Sequence, residues 1–327
     1  MHLSSILSAK FTGAKKKQYF IQKEVKMKKT YILKKIIILA LTLSLLTSCS
    51  NKNKNISQKN GTGENTVKIT ATFYPLYIML MNLTENVSGT EIAMLAPSNT
   101  GCLHDYTLST RDMKKINSSD IIVVNGAGME DFIDKILSVK EGRIITAAKD
   151  IPLIEENPHV WVSPVNYILM LKNITDGLKE IDKKNASLYQ ENYLTYSKKI
   201  SDLVLDMHTQ LKDIKGKKVI TFHEAFPYFV NEFNLDCVQV IEREAGQAPS
   251  AKELNNLISL IREEITAESK PALFAEPQYS SSAAQIIAKE TGLKVYMLDP
   301  AVNGKIDKDA YIDAMKQNTK ILKEAFN

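Results

Sequence analysis

Histidine is scarce in this 327-residue chain, with five in all; tryptophan occurs once and cysteine three times. These shortages exclude several kinds of site. Three cysteines without a Cys-x-x-Cys spacing do not build a thiolate zinc site. His223-Glu224 starts like a zinc-protease HExxH helix, but position 227 is proline, so that motif is absent. No solenoid-type repeat runs through the chain. The longest apolar run, Ile36 to Leu46, is too short for a good membrane-spanning helix.

That run fits an export signal instead. Lys28, Lys29, Lys34 and Lys35 precede it, and Leu46-Thr47-Ser48-Cys49 ends it. Small residues before a cysteine have the form of a bacterial lipobox, in which Cys49 is lipidated and becomes the mature N-terminus. Met27 directly before Lys28-Lys29 reads as the true start, making residues 1–26 an upstream extension of the reading frame. The formal charge changes once residues 1–48 are set aside. The chain has 42 Lys and Arg against 37 Asp and Glu; the leader holds ten Lys and one Glu, leaving 32 basic and 36 acidic residues. The apparent basicity belongs to the leader, so the body offers nothing to nucleic acid.

Residues 50–65 are polar and read as a flexible tether. Beyond it, short apolar runs alternate with amphipathic stretches, the pattern of α/β units around parallel sheets. Strands are expected at 67–72, 91–96, 121–125, 217–222, 235–240, 272–275 and 294–298. Helices are expected at 76–87, 109–116, 130–139, 164–181, 251–267, 281–291 and 308–325, with capping boxes at Ser109/Asp112 and Ser250/Glu253. Residues 140–158 read as a loop with at most a short strand. Residues 186–214 contain no proline or glycine and carry apolar residues at helical spacing. One helix of roughly 29 residues, about 43 Å long, suits a rigid strut. The expected organisation is a leader (1–48), a tether (49–65), an α/β lobe (66–183), the linking helix (184–214) and a second α/β lobe (215–327).

Against this framework the histidines gain meaning. His104 sits in the loop after Pro97, His159 lies between Pro158 and Pro164, and His223 follows the run VITF. Asp299 ends the run KVYML before Pro300. Strand ends of this kind are where open α/β sheets bind ligands. Three imidazoles and a carboxylate make a four-coordinate set suited to a d¹⁰ ion. Each residue taken singly has a plainer reading: a loop histidine, an Asp-Pro turn, Trp161 as a packing anchor. His208, inside the long helix, reads as a surface or lobe-contact residue, and His2 lies in the leader. Cys102 stands near His104 and reads as a free or structural thiol, with pairing to Cys237 left open.

Seven segments in order carry a resemblance: FYPLY at 73–77, GCLHDYTLSTRDMKKINSSDIIVVNGAGMEDFI at 101–133, NPHVWVSP at 157–164, GKKVITFHEAFPYFV at 216–230, EREAGQAPSAKEL at 242–254, FAEPQYSS at 274–281 and KVYMLDP at 294–300. From about residue 67 to its end, the chain resembles the metal-specific substrate-binding lipoproteins of bacterial ABC importers, the zinc/manganese type that includes ZnuA-like and TroA-like proteins. The resemblance implies two α/β lobes joined by one long helix, with the metal in the cleft between them. It implies His104, His159, His223 and Asp299 as ligands, and Glu276 as a neighbouring acid or substitute ligand. It also implies an ABC permease with its ATPase as partner, a monomeric carrier and attachment to the membrane through Cys49.

Metal choice turns on two departures. The region from Glu141 to Glu156 lacks the histidine-rich loop of many zinc-specific relatives. The third ligand is His223, where manganese-type members often carry a carboxylate. A nitrogen-rich set favours zinc over manganese, so Zn2+ is expected, with Mn2+ the alternative. A secreted zinc hydrolase is the rival of another class: it needs an open coordination position and a general base, Glu224 or Glu276, and Asp299 as fourth ligand argues against it. A surface adhesin is a third reading that no sequence feature supports.

Overall fold

The computed structural model describes residues 66–327, apart from 102, 104, 105, 134–142, 243–248, 267, 268 and 327. The leader, the lipidation residue Cys49, the tether, Cys102 and His104 lie outside the described residues. Cys237 is a free, exposed thiol.

Two four-stranded parallel sheets form the framework. The first contains β1 (Val67–Ala71), β2 (Thr90–Met94), β3 (Ile121–Val124) and β4 (Ile144–Thr146), in the order β2-β1-β3-β4. The second contains β5 (Lys218–His223), β6 (Asp236–Glu242), β7 (Ala272–Ala275) and β8 (Val295–Met297), in the order β6-β5-β7-β8. Both therefore have the same strand order. β3 and β7 are wholly buried apolar strands, as a parallel sheet covered on both faces requires.

Helices cover the sheets: α1 (Tyr74–Leu83), α2 (Thr110–Ser118), α3 (Pro164–Ile181), α4 (Ala186–Gln210), α5 (Pro227–Glu232), α6 (Ala251–Glu264), α7 (Ser282–Thr291) and α8 (Ala310–Phe326). Both expected capping boxes form, at Ser109/Asp112 and Ser250/Glu253. Ser163 accepts from the Asn166 N–H, and Pro164 takes the first position of α3, where its missing N–H costs nothing. Gly177 lets α3 ride close on β4, since a Cβ there would lie 2.7 Å from Ile145.

Helix α4 is the long linking helix, and it is held along its length. Tyr189, Tyr196, Ile200, Leu203 and Met207 are buried, and the helix packs against α1, α3 and α8. Buried side chains of this size contribute about 1.5–3 kcal/mol each, so packing outweighs propensity in fixing it. The largest core runs through residues of both sheets, from Ile69 and Val123 to Val219 and Phe274, by way of Tyr196 and Met315.

Three elements differ from the sequence expectation. The linking helix ends at Gln210, and the chain tightens into a 3₁₀ turn at Lys212–Ile214 before Gly216, whose φ is +74°. In place of the start of the expected helix at 130–139 there is a 3₁₀ turn, Asp131–Ile133, because Glu130 turns inward and binds the end of β3. The six-residue α5 was not expected at all. Among the described residues no helix is long and apolar enough to cross a membrane.

Candidate metal centre

His223 is the last residue of β5, and Glu276 directly follows β7, its neighbour in the sheet. Asp299 lies two residues beyond β8, next in order. All three therefore stand at the C-terminal edge of adjacent parallel strands. The order of this sheet reverses between β5 and β7, so His223 and Glu276 flank its topological switch point.

His159 comes from the other half of the chain. It precedes a 3₁₀ turn, Val160–Val162, and is buried. Its ring centroid lies 5.2 Å from that of His223, edge to face. Trp161 sits 5.2 Å from the same imidazole, packs on Phe73 and donates from Nε1 to the Pro300 carbonyl at 2.9 Å. That bond ties the His159 segment to the residue after Asp299. Tyr311 in turn donates to the Trp161 carbonyl at 2.8 Å.

Glu276 is almost fully enclosed and binds His223 twice, at the backbone N–H (3.3 Å) and through a short contact to Nδ1. Gln278 donates to its other oxygen at 2.6 Å. Burial pushes the Glu276 carboxyl above its usual range, and the bonds from His223 and Gln278 pull the other way. A carboxylate on Nδ1 leaves the lone pair of a neutral imidazole on Nε2. His223 Nε2 is buried and has no hydrogen-bond partner among the described residues, an expensive arrangement unless it faces a ligand. Tyr279 packs edge-on to the same ring at 5.3 Å.

Asp299 is half-buried, and burial raises its carboxyl above the usual range while the Ala301 N–H, donating at 2.7 Å, opposes the shift. Asn318 anchors its backbone on both sides, accepting from the Asp299 N–H at 2.9 Å and donating to its carbonyl at 2.7 Å. Tyr74 is pushed up to about 12 by burial and then by the charges of Asp299 and Asp307.

His159, His223 and Glu276 are thus brought together, with Asp299 joined to them through the Trp161–Pro300 link. Among the described residues, no three His, Cys, Asp or Glu side chains stand close enough to hold an ion. His104 is outside the described residues, but its loop is partly visible. Gly101 has a φ of +79°, and a Cβ there would lie 3.7 Å from Gln278 and 3.9 Å from the Tyr279 hydroxyl. The loop leading to His104 therefore meets the segment that follows Glu276. His208 is not at this site: it packs on Phe233 and lies 3.5 Å from Glu232 on α5.

Several supporting residues escaped the sequence reading. Glu130 is buried at the end of β3 and accepts from Asn125 N–H (2.7 Å), Gly126 N–H (2.9 Å) and Thr72 Oγ1 (2.7 Å). Asn125 then donates to the Pro158 carbonyl at 3.0 Å, next to His159. Tyr228 of α5 donates to the Asn157 carbonyl at 2.5 Å and accepts from the Ile154 N–H at 3.1 Å. Asn157-Pro158 signalled only a turn.

Known proteins agree with this architecture. The high-affinity zinc uptake system protein ZnuA of Bacillus subtilis is 27% identical over 317 residues, which cover 89% of this chain and 96% of that protein. The zinc-binding protein AdcA of Streptococcus pyogenes is 28% identical over 298 residues, 80% of this chain but 56% of AdcA, so the chain spans little more than half of AdcA's length. Among solved structures, the substrate-binding protein FpvC of Pseudomonas aeruginosa in complex with Mn2+ superposes with a TM-score of 0.72 at 27% identity, covering 80% of this chain and 98% of FpvC. A crystal structure of ZnuA gives a TM-score of 0.67 at 25% identity, covering 80% of this chain and all of that one. The family model described as zinc-uptake complex component A, periplasmic, matches residues 69–325, and the chain belongs to that family.

Proposed function

We propose that this chain is an extracytoplasmic solute-binding protein that captures a divalent metal ion, zinc in preference to manganese, and delivers it to the permease of an ABC importer driven by its ATPase. The observation that carries the proposal is the meeting of His159 and His223, from opposite halves of the chain, at 5.2 Å between rings, with His223 Nε2 buried and without a partner among the described residues. An imidazole nitrogen held dry in this way is a metal ligand in waiting.

In this reading His159 and His223 bind through nitrogen, and His104 and Asp299 complete the set. Glu276 acts through His223, holding the imidazole by Nδ1 and compensating the charge of the bound ion. The chain works as two lobes, 66–183 and 215–327, on either side of residues 184–214. The well-packed linking helix resists wide opening, so release proceeds by small lobe shifts and rearrangement of the His104 and His223 loops. Cys49 carries the lipid that holds the protein, as a monomer, at the outer face of the membrane. The chain binds its cargo and does not turn it over.

Calorimetric titration of metal-free protein tests the proposal. Zinc binding tighter than micromolar is expected, lost in His104→Ala plus His223→Ala. No binding of zinc or manganese in that range, or full affinity in the double variant, would sink it.

A further inference from the structure

We infer that Asn157 is a positioning residue that fixes the ring tautomer of His159 and couples that ring to the strand end carrying His223. The inference rests on the metal-binding reading above and deepens it.

The Asn157 side-chain amide makes three polar contacts. Asn157 Nδ2 donates to the Glu224 carbonyl at 2.7 Å. A carbonyl only accepts, so the NH₂ group must face Glu224. Asn157 Oδ1 accepts from the His159 backbone N–H at 2.9 Å, and an N–H only donates, so the oxygen must face His159. The two contacts agree on one orientation, and flipping the amide would break both. The same oxygen lies 3.0 Å from His159 Nδ1. An acceptor at that position requires the proton on Nδ1, which leaves the Nε2 lone pair of the neutral ring for coordination.

His159 and His223 therefore hold the same tautomer by different means, an amide oxygen for one and the Glu276 carboxylate for the other. The amide brings no charge. It also links the two ligands physically, because Glu224 directly follows His223 in the chain. A ring that turned to present Nδ1 would lose the Asn157 oxygen and the spacing to His223 together.

The loop itself is held by other bonds. Tyr228 donates to the backbone carbonyl of Asn157, and Asn125 donates to that of Pro158. Both bonds survive replacement of the Asn157 side chain, so the loop keeps these two holds, and the ring tautomer reports the contact to Nδ1 separately from the backbone contacts the amide also makes.

The test compares the wild-type protein with Asn157→Ala and Asn157→Asp. Ring nitrogens are read by ¹⁵N NMR on metal-free protein, and zinc affinity by competition with a chelator. The wild type is expected to show His159 protonated on Nδ1, and Asn157→Ala to shift it towards Nε2–H with an affinity loss of about 10–100-fold. Asn157→Asp keeps an acceptor facing Nδ1 and is expected to recover the tautomer, but it has no donor for the Glu224 carbonyl and recovers the affinity only in part. A wild-type His159 protonated on Nε2, an Asn157→Ala affinity within twofold of wild type, or an Asn157→Asp protein whose His159 is protonated on Nε2 would overturn the inference. Absence of zinc binding by the wild type would sink the metal reading instead, while the NMR measurement would still report on Asn157.

Discussion

Trp161 donates from its indole nitrogen to the carbonyl of Pro300 at 2.9 Å, and both residues are buried. The bond joins the segment of one proposed ligand, His159, to the residue after another, Asp299. Trp161→Phe keeps an aromatic packing partner for Phe73 but leaves the Pro300 carbonyl without its donor. An unsatisfied buried carbonyl costs about 1–3 kcal/mol. Denaturant unfolding of the metal-free variant is expected to show a loss of that order. Zinc affinity should fall with it, because the residue after Asp299 loses a hold; unchanged affinity would mean that Asn318 and the Ala301 N–H place Asp299 without it.

The buried carboxyls set the sign of the pH dependence. Burial raises Glu276 above an ordinary value near 4.5 and Asp299 above one near 3.8. A carboxyl raised in the folded state holds its proton more tightly there than in the unfolded chain. Its stabilising contribution is complete below the unfolded value and is lost as pH rises through the folded one. Glu276 and Asp299 are therefore expected to withdraw stability from the metal-free protein as pH climbs from about 4 into the range above 4.5, against the opposite contribution of the lowered Asp112, and Glu276→Gln should remove part of that loss. Glu232, also raised by burial, supplies some of the remainder. Zinc favours the ionised carboxylates and neutral imidazoles, so binding must release protons, and more of them as pH falls. Calorimetry in buffers of different ionisation enthalpy measures that number directly.

Much of this arrangement is legible in sequence, and the reason differs by element. Ala272–Ala275 and Pro164–Ile181 form as expected because each has one strong signal, a buried apolar run for β7 and a Ser-Pro start for α3. Helix α5 gave no such signal: six residues opening with proline and rich in aromatics have no measurable period. Histidine chemistry points to His159 and His223, since imidazoles are few, the first lying between two prolines and the second just past an apolar run. Asn157 and Glu130 could not be found that way. Their roles arise from contacts with Glu224 and with the end of β3, and amide or carboxylate side chains in loops have many ordinary uses.

Metal preference can be moved at one residue. In the proposed set His223 supplies nitrogen where oxygen would suit manganese better. His223→Asp is expected to weaken zinc binding by at least about tenfold, in line with the loss of a well-supported ligand environment, and to narrow the gap between zinc and manganese. Competitive titration of both ions against one chelator reads the ratio. A His223→Asp protein with an unchanged zinc-to-manganese ratio would remove His223 as the determinant of choice.

Glu232 ends α5 and accepts from Ser163 Oγ, the cap of α3, and from the Val165 N–H at 3.3 Å, while His208 of α4 stands 3.5 Å from its other oxygen. Three helices thus meet at one carboxylate whose side chain is 7% exposed, against 40% for His208. The two partners should not contribute equally. Glu232→Ala strips the buried Ser163 hydroxyl of its acceptor, which costs about 1–3 kcal/mol. His208→Ala removes a contact screened by solvent, worth less than about 1 kcal/mol. Thermal unfolding of the two variants should rank Glu232→Ala well below His208→Ala, with zinc affinity close to wild type in His208→Ala because that residue lies away from the metal centre. Equal destabilisation by both would mean that the contact to His208 of α4, rather than the capping contact to Ser163 of α3, fixes α5.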